Sequence, residues 1–456
     1  NITIILYIFI FIQLIYYNMK LTHIIIIILV IFIIIISLLY IRYKNHLDYY
    51  LDTNILYKIL DIINNKSSIR NFYKYTNNTN NIYKTYMRNP CKTLMSNLFI
   101  EILSKYSKYD DVSPDLIFPC SYDNPIDEYD KFKQFDNAIY FLIDGHDLLT
   151  AKNALYNTVR EYYTKSLDNI ELYKKLKSLM PDSFILHNDN DIQRLKQSKY
   201  NLYIVKKNIQ RQTGLFITNS IDKILELLKN NPKKFPYVIA QELLQDPYLI
   251  NGRKINLRIY VFIVITADKY NVYIYNDGFM YYTPKMFVVN NPDRDVNITT
   301  GYIDRNVYKV NPLTHIDFKN YLDSIDLSNN IITDFKNNPD SHDLSNNIIT
   351  NTNTSSTKDK IFNNINKLIY DIFICYKNKL GTNEKLYKNT KCQLFGVDIA
   401  ICSDLTAKLM EINKGPDLGA KDERDKQLKY DLILNMLNLI GITQKNDILN
   451  KFEQII

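Results

Sequence analysis

Phe395-Gly-Val-Asp-Ile-Ala-Ile-Cys-Ser-Asp-Leu-Thr-Ala-Lys-Leu-Met-Glu-Ile-Asn413 decides the fold. Two apolar, β-branched runs flank Ser403 to Thr406, the pattern of two antiparallel strands joined by a four-residue turn. That register pairs Cys402 with Ala407 and sets Asp398 opposite Glu411. Directly opposed residues have Cβ atoms about 4.5–5.5 Å apart, and like charges there repel. A divalent cation would remove the cost. Asn413, two residues beyond Glu411, shares its face. Asp398, Glu411 and Asn413 together offer hard oxygen ligands suited to Mg²⁺ that keeps waters and shares nucleotide phosphates. The alternative is a register off by one, with Asp398 at a solvated strand end.

Working outward, Tyr203–Val205, Tyr237–Gln241 and Leu257–Thr266 read as strands. Ile221, Ile224, Leu225 and Leu228 recur at helical spacing, with Ser220 as cap and Pro232 beyond the end. Asn276-Asp277-Gly278 reads as the turn of a hairpin between Val272–Tyr275 and Phe279–Tyr282. Leu428–Ile440 reads as a helix stopped by Gly441. Mixed order with antiparallel hairpins argues for an α+β fold.

Composition narrows the class. The 456 residues include only 10 Gly and no Trp. No cluster of closely spaced glycines supports a P-loop or a dinucleotide fold. A net charge of +8, with basic residues scattered, argues against nucleic acid as partner. Cys91, Cys120, Cys375, Cys392 and Cys402 form no CxxC pair, so reduced structural thiols are expected. Residues 1–44 contain two apolar stretches, Ile2–Tyr17 and Leu21–Ile41, the second long enough for a membrane span. It reads as a signal-anchor, with Arg42 and Lys44 favouring a cytosolic C-terminal side, or else as translated AT-rich DNA. Residues 45–119 read as a polar linker or extension, 120–445 as the main folded domain and 446–456 as a tail. Within the domain, residues 323–360 read as a low-complexity insertion. There Asp326-Leu-Ser-Asn-Asn-Ile-Ile-Thr333 recurs as Asp343-Leu-Ser-Asn-Asn-Ile-Ile-Thr350.

Several ordered segments between about residues 120 and 440 resemble the tubulin-tyrosine-ligase-like family. They are Met180-Pro-Asp-Ser-Phe-Ile-Leu-His187, Tyr203-Ile-Val-Lys206, Gln241-Glu-Leu-Leu-Gln-Asp-Pro247, Leu249-Ile-Asn-Gly-Arg-Lys-Ile-Asn-Leu-Arg258, Tyr275-Asn-Asp-Gly278 and the Asp398, Glu411, Asn413 set. The resemblance implies an ATP-grasp-like fold with nucleotide bound between two antiparallel-sheet lobes. It implies ATP and Mg²⁺ as cofactors, and an amino acid joined to a carboxylate of tubulin or a similar acidic protein through an acyl phosphate. It implies that Lys206 and Gly214 meet phosphate, and that Gln241, Leu243 and Leu244 face adenine. Lys254, Asn256 and Thr299 would contact nucleotide, and Arg258 with Lys254 would serve catalysis. Partners would be acidic tubulin tails and a free amino acid, in a cytosolic, cytoskeletal setting, with residues 21–41 as a membrane anchor where that span is translated. The sequence departs from the family pattern at four places. Asn256 replaces Asp, Tyr281 replaces Arg, Lys207 replaces Pro in a loop keeping only Gly214, and Asn297-Ile-Thr-Thr300 replaces a His- and Asn-flanked Thr. Those departures point to a non-catalytic ATP- or tubulin-binding relative as the second reading. A membrane-anchored enzyme with another substrate is the third.

Overall fold

A computed structural model of the chain describes residues 83–88, 97–119, 130–131, 135, 137–209, 214–337, 356–443 and 450–456, without the side chains of 328–337. All of them fall in one compact unit, Asn71–Ile456. The apolar segments within residues 1–44 lie outside the described residues, as do Cys91 and Cys120. Among the described residues, no helix is long and apolar enough to cross a membrane.

Two sheets organise the unit. The smaller is antiparallel: β5 (Ser183–Ile185), β8 (Tyr237–Glu242), β6 (Tyr203–Lys207) and β7 (Leu215–Thr218), in that spatial order. The larger has ten strands in the order β14-β11-β10-β12-β4-β3-β1-β2, with β13 beside β12 and β9 beside β10. Its strands are β1 (Tyr83–Met87), β2 (Ser107–Tyr109), β3 (Leu116–Phe118), β4 (Ile139–Tyr140), β9 (Leu249–Ile250), β10 (Arg253–Ile265), β11 (Tyr270–Tyr282), β12 (Thr390–Ile401), β13 (Ala407–Asn413) and β14 (Phe452–Gln454). The β10–β11, β10–β12 and β12–β13 pairs are antiparallel, whereas β12–β4, β4–β3, β3–β1 and β1–β2 are parallel. The larger sheet is therefore mixed, not antiparallel throughout.

Most expected elements form where the sequence places them. Ser220 caps the helix Ile221–Lys229 by accepting from the Lys223 amide. The helix Glu423–Leu439 ends before Gly441, whose φ is +80°. Cys375, Cys392 and Cys402 are free and buried, the structural thiols expected. The core lies on the larger sheet, where Ile361, Ile365 and Ile372 of the helix Thr357–Phe373 and Leu432, Ile433 and Met436 of Glu423–Leu439 are each at most 1% exposed.

Four expectations are corrected. Asn276-Asp277-Gly278 is no hairpin turn: β11 runs unbroken through it, and the chain reverses at residues 266–269 instead. The register against β10 passes from Ile259↔Gly278 to Val261↔Ile274, so Asn276 and Asp277 form a bulge. The first repeat copy, Asp326–Thr333, expected within a low-complexity insertion, continues the helix His315–Asn337. Residues 83–118, taken for part of a polar extension, supply three strands and the helix Asn97–Leu103, with Phe99, Ile102 and Leu103 fully buried. Within the tail, Phe452–Gln454 pairs with β11.

Candidate active site

The β12–β13 hairpin reaches the expected opposition by a different route. Ile401, not Cys402, pairs with Ala407, so the connection is one residue longer than a four-residue turn. Ile399 then pairs with Leu409 and Asp398 with Glu411, leaving Met410 as an extra, bulged residue. The shift at the turn and the bulge cancel, and Asp398 faces Glu411 after all. Arg258 of β10 lies opposite Asp398 on the other side. Three adjacent strands thus present Arg258, Asp398 and Glu411 in a row on one face.

The row is closely bonded. Arg258 donates Nε–H to Asp398 Oδ1 at 2.5 Å and a terminal N–H to Oδ2 at 2.9 Å, a bidentate pair. Asn413 Nδ2 lies 3.3 Å from Asp398 Oδ2 and 3.4 Å from Glu411 Oε1. Lys152 Nζ lies 3.7 Å from Glu411 Oε2. Burial works against every charge here. Even so, Lys152, Lys206 and Arg258 hold the Glu411 carboxyl below its ordinary range. Burial and the Glu411 charge push Asp398 up, against the pull of Arg258. Asp398 in turn keeps the guanidinium well above its usual value. Tyr281, at the position of the missing arginine, lays its ring 4.9 Å from the Arg258 Cζ. It sustains Arg258 by a cation–π contact instead of adding a second positive charge.

Among the described residues, no group of three or more His, Cys, Asp and Glu is placed to hold a metal ion. The set here is two carboxylates and an amide on one face. That donor chemistry fits a hard cation whose remaining ligands are water and phosphate, with Asn413 turning its amide oxygen inward.

The smaller sheet adds Lys206, buried on β6 between Leu215 and Ile239. Burial pulls its ammonium down to about 8, although the Glu411 charge favours the protonated form. Gly214 follows with φ +70°, and a Cβ there would meet Lys207 Cδ at 2.9 Å. Only glycine suits this position on both counts.

The residues expected around adenine lie at the other end of β10. Leu244 clusters with Ala400, Cys402 and Met410, while Leu243 joins Leu202, Ile204 and Ile298. Two polar groups of this region are engaged within the fold. The Leu243 amide donates to Leu202 O at 3.0 Å, and Lys254 Nζ donates to Leu244 O at 2.8 Å. Gln241 is buried, its Nε2 donating to Ser183 Oγ at 2.7 Å. Lys254, pulled by burial to about 8, shares a strand face with Arg258. Four residues of strand, about 13 Å, separate them, so Lys254 stands beside Leu244 and away from the carboxylate row. Asn256 sits half-buried between them, opposite Ala400 and Tyr281. Thr299 is half-buried beside Ile298 of the hinge cluster.

Sequence reading missed Lys152. It opens the helix Lys152–Thr164, its amide donates to Asn208 Oδ1 at 2.9 Å, and its Nζ lies 3.3 Å from Ile209 O. It thereby ties the segment after Lys206 to Glu411, and no local pattern distinguishes it from a surface lysine. Lys414 was also missed. Adjacent to Asn413, it donates to Asp147 Oδ1 at 2.8 Å and lies 3.4 Å from His146 Nε2.

A four-stranded antiparallel sheet set beside a larger mixed sheet, with buried lysines and a carboxylate row where they meet, fits the ATP-grasp-like architecture of a ligase. The family model described as "Tubulin-tyrosine ligase family" matches residues 144–448, more than half of the chain, and the chain belongs to that family. The tubulin monoglutamylase TTLL4 of Mus musculus is 26% identical over 284 residues, covering 60% of this chain and 21% of that protein. A probable beta-tubulin polyglutamylase of Tetrahymena thermophila is 23% identical over 268 residues, covering 57% of this chain and again 21% of the relative. The probable tubulin polyglutamylase ttll-9 of Caenorhabditis elegans is 22% identical over 333 residues, covering 70% of this chain and 71% of that protein. The chain therefore spans about a fifth of the length of the first two relatives and most of the third.

Proposed function

We propose that the chain is an ATP-dependent ligase that joins an amino acid, Glu, Gly or Tyr, to a carboxylate of tubulin or a similar acidic protein. The observation that carries this reading is the row Arg258–Asp398–Glu411 with Asn413, set against the buried Lys206. The relatives named as glutamylases favour glutamate as the amino acid. In the first step the acceptor carboxylate attacks the γ-phosphorus of ATP, and ADP leaves. In the second the free amine attacks the acyl carbon, an amide bond forms and phosphate departs. Lys206 neutralises phosphate, and Arg258 holds a fixed positive charge where negative charge develops. Lys254, Asn256 and Thr299 set the nucleoside end, with Gln241, Leu243 and Leu244 shaping the hinge. Asp398, Glu411 and Asn413 would hold Mg²⁺, which supplies charge neutralisation at the phosphates.

Mass spectrometry of tubulin incubated with the protein, Mg-ATP and single amino acids tests this. The expected result is an ATP-dependent mass increment that Glu411→Gln abolishes. A second reading rests on Asn256 and Tyr281, which remove a carboxylate and a cation found in the family pattern. ATP binding without any increment would establish that non-catalytic reading instead.

A further inference from the structure

The loop between the helix Ile221–Lys229 and β8 has no part in the chemistry above, yet it is unlike its surroundings. From Leu227 to Gln241 the chain carries three lysines, Lys229, Lys233 and Lys234, and no carboxylate. All three are exposed, and among the described residues none forms an ion pair. The neighbouring acidic residue, Glu226, stands back on the helix. Phe235 is 54% exposed and takes φ +56°, a conformation costly for a bulky residue and more so before a proline. The loop that holds it is stiff. Asn231 Nδ2 donates to Tyr237 O at 3.0 Å, and the Tyr237 amide donates to Asn231 Oδ1 at 2.8 Å, so one side chain closes the loop at its base. Pro232 and Pro236 fix φ inside it. A ring held in solvent at a backbone cost, beside uncompensated cations, is a feature of recognition and not of packing.

The place of the loop says what it meets. Tyr237, which opens β8, pairs with Lys207, which closes β6, and Lys207 Nζ lies 4.6 Å from the Tyr237 ring centroid. Lys206 precedes Lys207, and the Glu411 charge acts on its ammonium. Lys152 Nζ, 3.3 Å from Ile209 O just beyond β6 and 3.7 Å from Glu411 Oε2, spans from this end of the sheet to the carboxylate row. The loop thus extends outward the positive end of the smaller sheet that faces the row. A fitting partner carries several negative charges and apolar groups that one ring can cover. An extended acidic peptide has both, since the methylenes of glutamate side chains pack on a ring while their carboxylates meet lysines. A nucleic acid strand calls for successive rings on which bases stack, and the loop offers one. A bilayer calls for a broader apolar face than one phenylalanine.

We propose that Lys229, Lys233, Lys234 and Phe235 form a docking surface for an acidic peptide segment of the acceptor protein, outside the carboxylate row. The choice of partner rests on the ligase reading, but docking needs neither ATP nor Glu411. Fluorescence anisotropy with the full chain, no nucleotide and fluorescein-labelled deca-glutamate tests it. The peptide binds, its deca-glutamine counterpart does not, and affinity falls as salt rises. Lys233→Gln combined with Lys234→Gln weakens binding about tenfold, the scale of losing two rim charges. Phe235→Gly, which suits the positive φ and so spares the fold, weakens it about threefold. Thermal melts check that the variants fold. Glu411→Gln binds the peptide as tightly as the unaltered chain, so docking persists where ligation is abolished and the two readings fail separately. Absence of deca-glutamate binding overturns the proposal, as does affinity unchanged in both folded loop variants. Tighter binding of oligo-deoxythymidylate or of phosphatidylserine vesicles, lost with the two lysines, overturns the choice of partner.

Discussion

Arg258 shows how much a single side chain carries. Its two donors satisfy Asp398, its charge helps lower the Glu411 pKa, and Tyr281 covers one of its faces. Arg258→Met therefore leaves a buried carboxylate without its partner, a loss of about 3–5 kcal/mol, read as a lower urea midpoint. Arg258→Lys keeps the charge but not the planar fork, and on the proposed function ligase turnover falls about 10²–10³-fold, the scale of losing one fixed donor. The buried lysines make a second prediction. Lys206 titrates near 8 in the folded chain against 10.5 ordinarily, because burial disfavours its charge. Between those values the unfolded chain holds a proton that the folded chain has released. This group's burial penalty is thus fully present below pH 8 and is relieved as pH rises towards 10.5. On the proposed function phosphate binding needs the ammonium, so above pH 8 nucleotide binding takes up protons and weakens as pH rises. Calorimetry of ATP binding in two buffers of different ionisation heat will show little uptake by lysine at pH 7 and a clear uptake at pH 9. Lys206→Gln will lower that uptake, leaving the contribution of Lys254.

Elements were legible where the signal was local. The cap at Ser220, the stop at Gly441 and the strand run through Leu257 each follow from side chains that bond or pack within a few residues. The carboxylate row was legible for the same reason, although its register arose from two compensating irregularities, the longer turn and the bulge at Met410. Asn276-Asp277-Gly278 failed because its purpose is tertiary. Asp277 caps the helix that starts at His315, and Gly278 is small because that helix presses on it. A Cβ at Gly278 would fall 2.2 Å from Arg258 O and 2.4 Å from His315 Cε1. The first contact is with backbone of the strand that carries Arg258 and cannot relax cheaply. Gly278→Ala should cost at least the ~1–3 kcal/mol of an overpacked core, measured by urea unfolding. It should also lower ligase activity by displacing Arg258. Wild-type stability in that variant would mean that the strand and helix separate more freely than the contact implies.

At the scale of the whole molecule, the α+β class and the two sheets followed from the sequence, but the extent of the larger sheet did not. Residues 83–118 lack a period because their strands are short and their burial comes from neighbours distant in the chain. Ser107–Tyr109 and Leu116–Phe118 have three residues each, too few to show an alternation. Yet Phe99, Ile102, Leu103, Leu116 and Ile117 are completely buried. A fragment cut a few residues before the expected domain start at residue 120, residues 115–456, keeps β3 but removes β1, β2 and the helix Asn97–Leu103. Losing Phe99, Ile102 and Leu103 forfeits about 1.5–3 kcal/mol each, comparable with the 5–15 kcal/mol by which a domain is usually stable. It also strips β3 of the β1 strand that pairs with it, leaving Leu116–Phe118 as an unprotected apolar edge. Residues 115–456 should therefore aggregate or melt well below residues 71–456, which keep the whole compact unit. Parallel expression of the two fragments, with soluble yield and circular-dichroism melts as readouts, decides it. Equal melting would show that the parallel edge is an appendage whose packing the antiparallel strands do not need.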